Sequence, residues 1–254
     1  MNKDHKGKVL SIVSLAPEVF KITVQIEKMP MIVHGQFLNV RVPGGRFLLR
    51  RPLGVCDFDA ENKTIVFCFQ IKGEGTRALS EIKEGDVLDI LLPLGNGFPQ
   101  EYKKIMIVGG GIGVFPLLTV AKANKQVYSF LGYRNEESAL LIDEFKKHSA
   151  EIVLASDDGT IGEKGYITTI ARREYDRIKP DAVFACGPSA MFRALKKVFD
   201  GADVPIYVSL EERMACGFGA CLCCNVKIKK DEIVTAPRVC CEGPVFRIEE
   251  VVDL

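Results

Sequence analysis

The sequence predicts a mixed β and α/β chain in three parts: a small antiparallel β-barrel over residues 1–99, a doubly wound α/β sheet over 100–210, and a small cysteine-rich domain over 211–254. Three observations carry this reading. Residues 20–26 alternate apolar and polar side chains, the period of a strand with one buried face. Residues 104–108 end in an unbroken Ile-Met-Ile-Val run that leads into the glycines of 109–113, as a strand buried on both faces does. Six of the nine cysteines crowd between Cys216 and Cys241.

In the first part, further strand-like runs fall at 9–14, 37–42, 64–71 and 87–92. Turn residues separate them: Pro43-Gly44-Gly45, Glu61-Asn62-Lys63 and Glu84-Gly85-Asp86. Short strands at this spacing suit a barrel. Arg50-Arg51-Pro52-Leu53-Gly54 reads as the end of a strand carrying two adjacent cations. An arginine followed by proline can bridge phosphate oxygens in a fork; the alternative is a solvated pair at a sheet edge. Gly73-Glu74-Gly75-Thr76 precedes a helix expected over 77–82. Thr76 there could cap the helix and donate to an anion. Two anion sites in one barrel suit a dinucleotide such as FAD.

In the second part, strands are expected at 127–133, 151–156 and 182–186, and helices at 115–124, 138–148, 168–175 and 189–199. The alternation makes a doubly wound, nucleotide-binding sheet. The run 109–113, with Gly111 and Gly113, exposes backbone N–H groups where a helix begins and a pyrophosphate can be held. It does not match G-x-G-x-x-G, since Val114 and Pro116 stand at the third glycine positions. Ala185-Cys186-Gly187-Pro188 ends a later strand on the same sheet edge. The small side chain of Cys186 would let a nicotinamide approach a flavin.

In the third part, Cys216, Cys221, Cys224 and Cys240 are spaced C-x4-C-x2-C-x15-C, the spacing of a plant-type [2Fe–2S] cluster. Zinc on four thiolates is the alternative. The loop between the first three is built from small residues, as a backbone wrapped around a cluster requires. The module looks too small to bury a core alone, so the metal is expected to supply much of its stability. Cys223 and Cys241, each beside a ligand, read as bystanders.

The formal net charge of +1 gives no electrostatic footprint for nucleic acid or an anionic membrane. Disulfides fit poorly with an odd, clustered cysteine count, and the polar start with no apolar stretch after it points to the cytoplasm.

Barrel, arginine–proline stretch and the two glycine turns together resemble the ferredoxin–NADP reductase superfamily. The segments 211–224 and 239–246, with 92–98 and 156–165, are similar to the electron-transfer subunits of NAD-linked (type B) dihydroorotate dehydrogenase. The resemblance implies FAD, one [2Fe–2S] cluster and NAD. It also implies a separate FMN-containing subunit that oxidises dihydroorotate, two copies of each chain forming a heterotetramer, and electron flow through cluster and FAD to NAD+ in pyrimidine biosynthesis. It places Arg51, Pro52, Leu53, Gly54, Cys68, Phe69, Gln70, Gly75 and Thr76 on FAD, and the four cysteines on the cluster. It implies no acid–base residue. Gly54 stands where the family usually has serine, Gln70 where it has arginine, and Cys68-Phe69 where it has leucine–tyrosine. The alternative within the architecture is a flavin/iron–sulfur subunit serving ferredoxin or a hydrogenase.

Overall fold

The alternating segments of the first hundred residues close on themselves. In this computed structural model, which describes residues 3–254, six strands form a closed barrel. They are β1 (Lys3–Ala16), β2 (Val19–Ile26), β3 (Phe37–Val40), β4 (Arg51–Asp59), β5 (Thr64–Gln70) and β6 (Val87–Leu94), in the order β1-β2-β5-β4-β3-β6. Met1 and Asn2, which the sequence reading assigns to the barrel, lie outside the described residues. Ile22, Val24 and Ile26 of the alternating segment point into the barrel core with Leu38, Val40, Phe67 and Ile90. A short helix, α1 (Glu74–Ser80), follows β5.

The arginine–proline stretch begins a strand instead of ending one. Arg51 opens β4, and Pro52 sits second, paired with Asn39 of β3. A proline that cannot donate to the ladder is tolerated at the first residues of a strand.

The second part is a seven-stranded sheet in the order β10-β9-β8-β7-β11-β12-β15. Its strands are β7 (Lys104–Gly110), β8 (Gln126–Tyr133), β9 (Glu151–Ser156), β10 (Glu163–Lys164), β11 (Ala182–Cys186), β12 (Ile206–Ser209) and β15 (Val245–Arg247). The winding reverses between β7 and β11. Helices α2 (Val114–Ala123) and α3 (Ile142–His148) pack together on one face, α4 (Ile167–Ile178) and α5 (Ser189–Val198) on the other. The helix expected over 138–148 is shorter, because Asn135 caps a 3-10 turn at Glu136–Ser138 and Leu141 takes a left-handed φ of 58°. Strands β10 and β12 were not anticipated; each is shorter than any of the apolar runs that the sequence marks as strands.

The barrel leans on α2. Lys122 pairs with Asp57 of β4 at 2.5 Å, and Gly54 lies against Pro116. The cysteine-rich segment adds a hairpin, β13 (Ile228–Lys230) and β14 (Ile233–Thr235), and then β15, which joins the sheet antiparallel to β12. Its Cys224, Ile228, Val239, Cys240 and Phe246 are buried in one cluster with Val183, Ala185 and Val208 of the sheet. As expected, the segment does not bury a core alone; it shares the core of its neighbour. Among the described residues no helix is long and apolar enough to cross a membrane.

Candidate functional site

Strands that end on one sheet edge and a barrel that leans on that edge enclose a cleft between them. It is walled by the barrel (Arg51, Pro52, Leu53, Gly54, Cys68, Phe69, Gln70, Thr76), by the sheet (Ile112, Phe115, Cys186, Ser209) and by the cysteine-rich segment (Glu211, Glu212, Met214, Pro244). Its volume, near 260 Å³, falls short of the roughly 300–1,000 Å³ that enclose drug-sized ligands. It can enclose the ring system of a flavin dinucleotide and leave the remainder across the surface.

The two expected anion contacts come together. Gly75, in the first turn of α1, is packed so closely on Arg51 that any Cβ there would overlap the guanidinium. Arg51 donates to Leu49 O at 2.6 Å and lies over the Phe47 ring at 5.2 Å, which fixes its plane. Arg50 serves a different purpose, donating to Asp4 and to Asp89 O at 2.7 and 3.0 Å. Thr76 does not begin the helix as expected. Glu74 and Gly75 are already helical, and the Thr76 hydroxyl accepts the Lys72 and Gly73 N–H groups while donating back to Gly73 O. An arginine fork beside a glycine-opened helical turn fits a pyrophosphate.

Cys68 and Gln70 line the cleft from β5. Cys68 is buried against Cys56, and this thiol neighbour, with burial, pushes the Cys56 thiol well up. The Phe69 ring stacks on Phe20 at 5.8 Å within the barrel. Gly54 leaves room where Pro116 approaches: a Cβ would sit 3.3 Å from the Pro116 Cβ.

At the sheet edge the two glycine turns touch. Gly113 (φ −63°, not left-handed) is packed so that a Cβ would overlap the Cys186 carbonyl, while Gly111 is left-handed at φ 54° with open space around it. Gly187 in turn packs on Met191 and on the Gly110 N–H. Cys186 is buried, and desolvation, aided by Glu211, holds its thiol neutral. The site thus presents a small uncharged side chain beside open backbone, suited to a flat ring approaching another.

The four cysteines stand as two pairs. Cys216 interacts with Cys221 on the outer loop, and Cys224 accepts the Cys240 N–H at 3.4 Å in the buried half. Among the described residues no three His, Cys, Asp or Glu side chains gather closely enough to hold one ion. Two cysteine pairs match the two protein ligands that each iron of a [2Fe–2S] centre takes. Desolvation opposes ionisation of Cys216, yet N–H groups of Phe218, Cys221 and Ala220 and the Cys221 side chain bring its thiol down to about 6. Arg238 ties the halves, donating to Gly219 O at 2.7 Å and gripping Glu242. Cys241 Sγ lies 3.9 Å from Cys240 Sγ, and Cys223 is exposed.

Sequence reasoning missed Ile112, Phe115, Met214 and Pro244 as cleft walls, and Glu211 and Glu212 beside them. Only their position next to glycines or cysteines could have flagged them.

The comparisons with known proteins follow the same division. Residues 211–252 match the family model for the iron–sulfur cluster binding domain of dihydroorotate dehydrogenase B, and 107–197 that for an oxidoreductase NAD-binding domain. The chain is 42% identical over 250 residues, 97% of each chain, to the dihydroorotate dehydrogenase B (NAD(+)) electron transfer subunit of Caldanaerobacter subterraneus subsp. tengcongensis. It is 37% identical to that of Streptococcus mutans, covering 96% of both. Among solved structures, an NADH-dependent reduced ferredoxin–NADP oxidoreductase described for flavin-based electron bifurcation superposes with a TM-score of 0.85. Its identity is 31%, and the match covers 97% of this chain and 89% of that one. Phthalate dioxygenase reductase, at 18% identity and a TM-score of 0.65 over 92% of this chain and 76% of that one, shares the fold.

Proposed function

Because the chain belongs to the family of electron-transfer subunits of dihydroorotate dehydrogenase B (NAD(+)), we propose that it docks on a separate FMN-containing subunit through its cysteine loop and delivers that subunit's electrons to NAD+ bound at Gly111, Gly113 and Cys186. The chain is an oxidoreductase subunit, and its cofactors are FAD, a [2Fe–2S] cluster and NAD. Together these supply the exchange between one-electron and two-electron chemistry, while the protein supplies placement.

One observation carries the reading: all three parts of the chain wall a single cleft. Met214 lines it and stands two residues before Cys216, so their Cα atoms are at most about 7 Å apart. Arg51 with the Gly75 turn would hold the FAD pyrophosphate, while Pro52, Leu53, Gly54, Cys68, Phe69 and Gln70 wall the flavin and Thr76 orders the turn. Cys216 with Cys221 and Cys224 with Cys240 would hold one iron each. Cys186, small and uncharged, keeps the ring-to-ring approach open without offering a nucleophile. Phe218 and Leu222, on the loop that carries three of the ligands, are 52% and 61% exposed, an apolar face suited to a partner subunit. A heterotetramer with two copies of each chain completes the proposal.

The test is NADH formation after mixing the FAD- and iron–sulfur-loaded chain with a dihydroorotate-oxidising flavoprotein. Dihydroorotate-dependent NAD+ reduction that requires both proteins is expected. The likeness to the ferredoxin–NADP oxidoreductase favours a second reading, with ferredoxin as the electron partner. Reduction of the chain by NADH and ferredoxin, with no response to dihydroorotate, would establish that one instead.

A further inference from the structure

Asn39 on β3 is 1% exposed, and neither its Oδ1 nor its Nδ2 has a hydrogen-bond partner. Its backbone is engaged in the ladders to β4 and β6. A buried amide without partners is costly and rare, so such a group points to a partner that arrives later. The direction is given by the cluster loop. Gly217, next to the ligand Cys216, has a left-handed φ of 77°, and a Cβ there would overlap Asn39 Nδ2. Asn39 thus presses its amide on Gly217, the residue after Cys216, from the barrel side, and its strand partner is Pro52 of the flavin cleft. Nearby backbone donors already serve the Cys216 sulfur: the N–H groups of Phe218, Ala220 and Cys221. The Gly219 carbonyl, an alternative acceptor, takes the Arg238 guanidinium.

We propose that Asn39 is a positioning residue which donates its side-chain amide to the sulfur shell of the cluster at Cys216 and raises the cluster's reduction potential. The inference rests on the iron–sulfur assignment above. The physics is direct: reduction adds negative charge to the cluster, a donor aimed at its sulfurs stabilises that charge, and hydrogen bonds to the sulfurs are among the factors that set these potentials. A donor reaching the cluster from the flavin barrel gives the barrel a hold on the cluster's potential. It explains why a polar residue stands in a buried wall where an apolar one would pack.

The experiment is an EPR-monitored redox titration of the loaded chain with Asn39→Leu and Asn39→Asp, the FAD potential being read in the same samples. Asn39→Leu should shift one-electron exchange with a mediator about tenfold toward the oxidised cluster, equal to 59 mV. Asn39→Asp, which replaces the amide donor by an acceptor, should shift it further in the same direction. The FAD potential should not move. Wild-type protein labelled with 15N in the asparagine side-chain amide should show a nitrogen coupling to the reduced cluster. An unshifted potential in either variant that retains its iron, or a wild-type cluster with no such coupling, overturns the inference even if both variants fail to fold. Absence of any cluster signal in loaded wild type would instead strike the iron–sulfur assignment.

Discussion

Replacement of Gly113 by alanine isolates close approach from backbone strain. At φ −63° an alanine is fully allowed, and just before α2 it would ordinarily stabilise by about 0.5–1 kcal/mol through a less flexible unfolded chain. Against this, the new methyl overlaps the Cys186 carbonyl and crowds the Gly187 nitrogen. These are backbone atoms at the end of a central strand and cannot swing aside as a side chain would. Overpacking of this kind costs about 1–3 kcal/mol. The overlap should win, with a net loss of roughly 1–2 kcal/mol and a fall in Tm of about 2–8 °C for a chain this size. Because the methyl wedges apart the two turns proposed to hold NAD, NADH affinity followed by flavin quenching should weaken as well. Gly111→Ala is the control: its strain at φ 54° is local and nothing stands within 4 Å, so it should cost about 1–2 kcal/mol while leaving the contact with Cys186 intact. A Gly113→Ala protein as stable as wild type, with unchanged NADH affinity, would refute the packing argument.

Arg51→Ala should weaken FAD binding roughly ten- to hundredfold, the scale of a charged hydrogen bond worth about 1.5–3 kcal/mol, measured as flavin retained on gel filtration. Cys221→Ser should abolish the cluster, read as iron content and visible absorbance, yet leave far-UV dichroism close to wild type because the buried half of the segment stays packed. Phe218→Ser with Leu222→Ser should lower the partner-dependent rate in subunit titrations. Burial holds the His34 imidazole below its ordinary 6.5, so the unfolded chain takes up the proton first as pH falls. Stability is whole above about pH 6.5 and declines as pH drops toward the lowered folded value; urea midpoints should show this slope, and His34→Leu should flatten it.

The features that local chemistry encodes were legible. Alternation in 20–26 became β2, and the apolar run before the glycines became β7. What stayed hidden depends on partners distant in sequence. Nothing near Asn39 announces that Gly217 will be laid on it, because that contact spans the barrel and the cluster loop. The run 244–248 reads as a strand and β15 forms there, but its place in the sheet is set by β12, about forty residues earlier. The start of β4 was misread because Pro52 looks like a strand terminator until Asn39 is seen beside it. Thr76 looked like a cap because threonine is common there, whereas Gly73 and Gly75 let the helix begin earlier.

The cysteine segment divides into two halves that the protein holds in different ways. The half holding Cys224 and Cys240 is fixed by contacts that need no metal. Both thiols are buried, Val239 N donates to Cys224 O at 2.9 Å, Asn96 N–H donates to Gly243 O at 2.6 Å, and Leu210 N–H donates to Pro244 O at 2.9 Å. Strand β15 then carries that arm into the sheet beside β12. The half holding Cys216 and Cys221 is an outer loop with exposed Phe218, Cys221 and Leu222, held by Arg238 at Gly219, by Cys241 packed on that glycine and by Asn39 behind Gly217. Burial also pushes the Cys240 thiol up while the loop's N–H groups lower that of Cys216, so the thiol that ionises more readily lies on the accessible side. The accessible pair and the buried pair therefore differ in how much of their placement the protein core fixes. The small segment thus takes its order from a sheet it did not have to build, through its buried cluster with Val183, Ala185 and Val208 and the ladder of β15 on β12.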